Sequence, residues 1–145
     1  MEMKKFIEAG ETQHLFLCQI IEPEENKLKI IVHPAKFDSK LKPIVIGEIH
    51  LKQGHEFWAD KSKKTEIHFD SYIGYSVRNE INCPADFKEA YAGKRYRIYS
   101  HSKYLDYIKS ATFILPDQEG KIQHYAVICE NHTIDVISID EPSLH

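Results

Sequence analysis

Cysteine is scarce in this chain, and the scarcity excludes a whole class of architecture. Cys18, Cys83 and Cys129 are an odd, widely spaced set, unlike the even, closely spaced frameworks of small secreted domains. Long hydrophobic runs are missing as well. No apolar stretch approaches the roughly 20 residues that a membrane-spanning helix needs. The opening MEMKKFIEAGE places no apolar segment behind its lysines, so a soluble, cytoplasmic protein is expected, with no membrane partner. The glycines are scattered and form neither G-x-G-x-x-G nor a phosphate-binding G-x-x-x-x-G-K-[ST], and G-x-S-x-G is absent. A basic excess is missing too: the net charge is −3, which argues against a general nucleic-acid binder.

What is present reads as an ordinary globular domain. At 145 residues, 42% hydrophobic and 28% charged, the chain fits a single domain over 1–145 that needs no metal or disulfide to fold. Its charge is uneven, net +4 over 61–110 and −5 over 111–145. The acidic tail either lies against the basic middle or offers an acidic face to a partner.

Seven segments read as strands. His14–Ile21 and Lys27–His33 form a hairpin around a charged turn, with Pro34 ending the second. Ile44–Leu51 follows Pro43. From Thr65 to Arg78, Ile67, Phe69, Ile73, Tyr75 and Val77 share one parity, predicting one long strand with a bulge or bend at Gly74. Lys94–Tyr99 is short, with Tyr96 and Ile98 inward and Arg95, Arg97 and Tyr99 outward. Gln123–Cys129 and Thr133–Ile139 make a hairpin in which Asn131 takes positive φ. A helix over about 101–111, capped by Ser100 or Ser102, carries Tyr104, Leu105, Ile108 and Ala111 on one stripe. A short helical turn is expected at Asp86–Tyr91. Together these predict an α+β, mainly β fold: a curved antiparallel sheet of about seven strands with one principal helix packed on it.

No residue set spells out catalysis. His50 and His55 have no ligand spacing, and Cys129-x-x-His132 lacks a second pair, so neither metal nor cofactor is expected. Asp135, between Ile134 and Val136, points into solvent in this reading. Catalysis by Asp70, Glu80 or Asp135 with a histidine would require side chains to converge in one cleft. Basic and aromatic residues interleave in RYRIYSHSKY, a pattern that can bind single-stranded nucleic acid, but the run spans a strand and a helix start. The best binding candidates are Tyr72 and Arg78 on the polar parity of the long strand, Glu80 just beyond it, and Tyr99, because tyrosine and arginine are enriched at interface hot spots.

Three stretches, FDSYIGYSVRNE (69–80), YRIYSHSKYLDYI (96–108) and ICENHTIDVISIDEP (128–142), loosely resemble a group of small uncharacterised bacterial proteins associated with the immunity partners of polymorphic toxins. The resemblance covers about the C-terminal half and contains no catalytic motif. It implies a cytoplasmic binding protein that blocks a toxin domain, and it assigns no residue roles. The alternative is a small-molecule-binding or enzymatic α+β domain with a pocket between the sheet and helix 101–111.

Overall fold

The computed structural model describes residues 2–11, 14–37, 42–46, 49–54, 57–83 and 88–145, with the backbone alone at 2, 42–46 and 49–54. The fold is α+β and mainly β, as the alternation predicts, but among the described residues ten strands divide between two antiparallel sheets of five rather than one, and two more form a separate pair. The first sheet runs β1 (Leu15–Ile21), β2 (Leu28–Phe37), β6 (Thr65–Phe69), β12 (Ser143–Leu144), with β5 (Phe57–Ala59) also on β2. The second runs β7 (Tyr72–Asn79), β11 (His132–Ser138), β10 (Gln123–Ile128), β9 (Tyr96–His101), β8 (Ala90–Ala92). β3 (Lys42–Ile46) and β4 (Ile49–Gly54) pair antiparallel with each other, so the single strand expected over Ile44–Leu51 is instead parts of two strands. Among the described residues no helix is long and apolar enough to cross a membrane.

The predicted long strand breaks in two because Asp70 and Ser71 form a bend that hands the chain from one sheet to the other. A register shift between Ile137 and Ser138 then faces the start of β7. Parity does not survive these two irregularities. Phe69, Tyr72 and Tyr75 belong to the main core, whereas Ile73 packs with Leu105, Ile108 and Ile137 on the other side of the second sheet. Gly74 lies beside the shift, and a Cβ there would sit 2.9 Å from Ile108 Cδ1, so its bare backbone lets the helix approach.

Other local expectations shift for equally specific reasons. Pro34 does not end β2, because its missing N–H falls where the ladder changes from β6 to β5 and its carbonyl still accepts from Asp60 N–H at 2.8 Å. The positive φ belongs to Asn26 (64°), not Asn131. Asn131 instead clamps β1 at its bulge: Leu17 N–H donates to Oδ1 at 2.9 Å, and Nδ2 donates to the Leu17 carbonyl at 3.2 Å. Cys18, at that bulge, is exposed, while Cys129 is buried. Of the helical turn expected at Asp86–Tyr91, residues 86 and 87 lie outside the described residues, and the rest is not helical: Lys88 and Glu89 form no helix, and Ala90 and Tyr91 belong to strand β8 (Ala90–Ala92). The N-terminal helix α1 (Glu2–Ala9) was not foreseen. Its Phe6 stacks on Tyr96 at 5.0 Å and meets Tyr125 edge-on at 5.6 Å.

The core between the sheets draws on Leu28, Ile30, Val32, Ile67 and Phe69 from one side and Tyr96, Tyr125, Val127, Ile134 and Val136 from the other. On the face of β6 opposite the core residues Ile67 and Phe69, the Glu66 carboxylate is held down to about 2 by a hydrogen bond from His68 and by Lys64 and Lys29. Its folded pKa lies below the ordinary 4.5, so its stabilisation is whole above that value and is lost as pH falls towards about 2. The stability gap between the wild type and Glu66→Gln should therefore shrink across that window in denaturation curves taken at several pH values. A gap that stays constant would show that the carboxylate charge contributes nothing.

Candidate functional site

Strict alternation on the second sheet leaves three cross-strand rows on its outer face. Tyr99, His124, Ile137 and Gly74 form one row, Arg97, Ala126, Asp135 and Ser76 the next, and Ile128, Thr133 and Arg78 the third. Helix α2 (Lys103–Ala111) covers the first row with Leu105 and Ile108. Beyond the helix the remaining rows floor a cleft of about 610 Å³, with Ala126, Asp135 and Thr133 buried beneath the longer side chains. Tyr91 and Glu89 wall it on the β8 side, Tyr104 and Tyr107 on the helix side, and Glu80 and Cys83 beyond the end of β7.

Under this cleft runs a continuous polar chain. Ser102 caps α2 from an extended conformation, its Oγ accepting from Leu105 N–H at 3.1 Å. The same hydroxyl lies 2.6 Å from His124 Nδ1. His124 Nε2 is 2.8 Å from Asp135 Oδ1, and Arg78 Nη2 donates to Asp135 Oδ2 at 2.9 Å. The carboxylate selects the tautomer: it can only accept, so a neutral His124 donates from Nε2 to Asp135 and accepts the Ser102 proton at Nδ1. Tyr99 stacks on the imidazole at 4.3 Å, and Tyr104 meets it edge-on at 5.5 Å. Burial works to lower the Arg78 pKa, but the Asp135 charge and hydrogen bond carry the net shift upward and hold the guanidinium charged.

Serine, histidine and aspartate in a row are the residue types of acyl transfer, but this geometry does not support it. Ser102 is fully buried, His124 and Asp135 are each 2% exposed, and both imidazole nitrogens are occupied. A nucleophile needs a free face towards substrate, and this hydroxyl faces a helix end. Burial, followed by the Glu130 charge, pushes the Cys129 thiol up to about 12, which removes it as a thiolate nucleophile. Among the described residues no group of three or more His, Cys, Asp or Glu is placed to hold a metal ion. Ser102→Ala removes a cap and one hydrogen bond to His124, and should cost about 1–2 kcal/mol in chemical denaturation. A change near zero would show that the polar chain does not support the helix.

Of the four residues singled out in the sequence, Arg78, Glu80 and Tyr99 line the cleft. Tyr99 is only 7% exposed, covered by Tyr91 at 5.1 Å rather than projecting outward. Tyr72 lies elsewhere, edge-on to Tyr75 at 5.3 Å and packed on the main core. Asp135 is the clearest correction: it faces away from Ile134 and Val136, but into the polar chain instead of solvent. Ser102, His124, Tyr91, Tyr104 and Tyr107 were not picked out as site residues. Comparison of the chain with known protein families, curated proteins and solved structures finds no match.

Proposed function

We propose that this chain is a non-enzymatic binding protein that holds a protein partner in the tyrosine–arginine cleft, as an immunity-type inhibitor would hold a toxin domain. One observation carries the reading: Ser102, His124 and Asp135 beneath the cleft are buried and occupied by one another, while Arg78, Arg97 and four tyrosines line it, beside Glu80, Glu89, Cys83 and Lys103. Arginine and tyrosine are enriched at interface hot spots. The polar chain beneath supplies rigidity, so little side-chain freedom is lost on binding at Arg78 and Tyr99.

A second reading is favoured by the size and place of the cleft. It lies between the sheet and α2, and about 610 Å³ suits a small molecule. Co-expression with the protein encoded next to this gene separates the two. The binding reading expects a co-purifying complex that Tyr91→Ala, Arg97→Ala or Tyr107→Ala weakens about thirtyfold, the loss that one central hot-spot truncation causes. A complex indifferent to all three variants, or turnover of a small substrate by the purified chain, would sink it.

A further inference from the structure

We infer that the cleft recognises a single carboxylate, an aspartate or glutamate side chain presented by the protein partner. This rests on the binding reading above and adds the chemistry of recognition. Two guanidinium groups face the cleft, and both are fixed before anything binds. Arg78 is anchored through Nη2 to the buried Asp135. Arg97 Nε donates to the Lys94 carbonyl at 2.7 Å, its Nη1 donates to the Tyr99 hydroxyl at 3.2 Å, and its Cζ lies 4.1 Å from the Tyr91 ring centroid.

Both groups keep donors in reserve. Among the described residues, Arg78 Nε and Nη1 and Arg97 Nη2 meet no acceptor. Asp135 does not compete for a ligand's place, because it is buried beneath the cleft and its oxygens are taken by His124 and Arg78. Unspent guanidinium donors on a rigid frame match a carboxylate, and a charge-assisted contact is stronger than a neutral one.

The same walls limit how much negative charge can enter. Glu80 and Glu89 also line the cleft, the latter accepting the first helical N–H of α2, from Lys103, at 2.8 Å. A carboxylate brings one negative charge to a cleft lined by Arg78, Arg97 and Lys103, whereas a polyphosphate backbone would bring further charges against these glutamates and a chain of net charge −3. Tyr91 and Tyr107 remain largely exposed at the cleft. They suit the flanking surface of a protein better than an isolated small acid.

The test uses the full chain labelled with nitrogen-15, following the arginine Nε–Hε signals by NMR. The probes are N-acetyl-aspartate N-methylamide, its asparagine counterpart as the neutral isostere, and inorganic phosphate. The aspartate probe should shift Arg78 and Arg97 saturably and bind about tenfold tighter than the asparagine probe, with Arg97→Gln removing about tenfold of its affinity, as expected for one charge-assisted contact. Equal binding of the two amides, no saturable shift with aspartate, or an unaltered response in Arg97→Gln overturns the inference. Phosphate binding more tightly than aspartate overturns the limit to one charge. If Arg97→Gln does not fold, the wild-type comparison of the two amides decides alone. Loss of the co-purified partner in Arg97→Ala without any aspartate preference leaves the binding reading standing and removes only the carboxylate. An aspartate preference with partner capture unchanged in Arg97→Ala overturns the assignment to a protein's side chain.

Discussion

Replacing Asp135 with alanine should cost about 3 kcal/mol in urea denaturation, the lower end of what removing one member of a buried ion pair costs. The value is not higher because Arg78, whose side chain is 48% exposed, can turn its freed guanidinium to water. His124 has no such escape. It is 2% exposed, roofed by Tyr99 and Tyr104, and its Nε2–H would face a void where the carboxylate stood. Leaving a buried donor unmet accounts for roughly 1–3 kcal/mol of the loss. Asp135→Asn retains an acceptor for His124 but presents an amide to Arg78, and should fall between alanine and wild type. The Asp135→Ala and Ser102→Ala losses should also fail to add, because both act on one imidazole. Additive losses, or an Asp135→Ala cost under about 1 kcal/mol, the scale of a single exposed pair, would show that the polar chain is not a unit.

Much of this cluster was legible in the residues, and one step was missed. The hairpin of Gln123–Cys129 with Thr133–Ile139 was read correctly as a pair, and its observed register sets Ile128 opposite Thr133 and His124 opposite Ile137. Asp135 is then the diagonal neighbour of His124 on one face, within reach of a long side chain. Reading β11 alone sends Asp135 to the polar side; only the paired strands show that this side is not solvent. The cover comes from α2, whose Ser102 cap and apolar stripe at Leu105 and Ile108 were in the sequence. Which sheet face the helix covers depends on Gly74 and the bulge opposite it, and no local pattern encodes that. The division into two sheets was hidden for a similar reason. The bend at Asp70 and Ser71 and the register shift opposite Gly74 each reverse parity, and the two reversals cancel by Tyr75, so the alternation runs on in the sequence while the sheet changes. Helix α1 did leave a trace: Met3, Phe6 and Ile7 fall at helical spacing before Gly10, where a Cβ would sit 2.5 Å from the Tyr96 backbone nitrogen.

The corrected register of β6 and β7 leads to the largest expected loss. Phe69 is fully buried between the sheets and meets Tyr125 edge-on at 5.6 Å. Phe69→Ala should cost about 3–5 kcal/mol, because the deleted ring leaves a cavity walled by strands that cannot close on it. Across the β2–β6 ladder its partner is Leu28, also buried, so relaxation would have to drag a central strand. His68, on the opposite face with Glu66 and His145, makes no such cavity. His68→Ala should stay within roughly 0.5 kcal/mol. Ile73 separates the structure from a single continuous strand. One uninterrupted strand would place it beside Phe69 in the same core, and removing both would then enlarge one cavity. The bend and bulge instead put Ile73 under α2 with Leu105 and Ile108, half-buried, so Ile73→Ala should cost about 1–2 kcal/mol, below the range for a fully buried isoleucine. In double-mutant cycles Ile73→Ala should couple to Leu105→Ala by about 0.5 kcal/mol or more and add to Phe69→Ala without coupling. The reverse pattern, coupling to Phe69 and none to Leu105, would restore the single long strand and displace the helix from the face that forms the cleft.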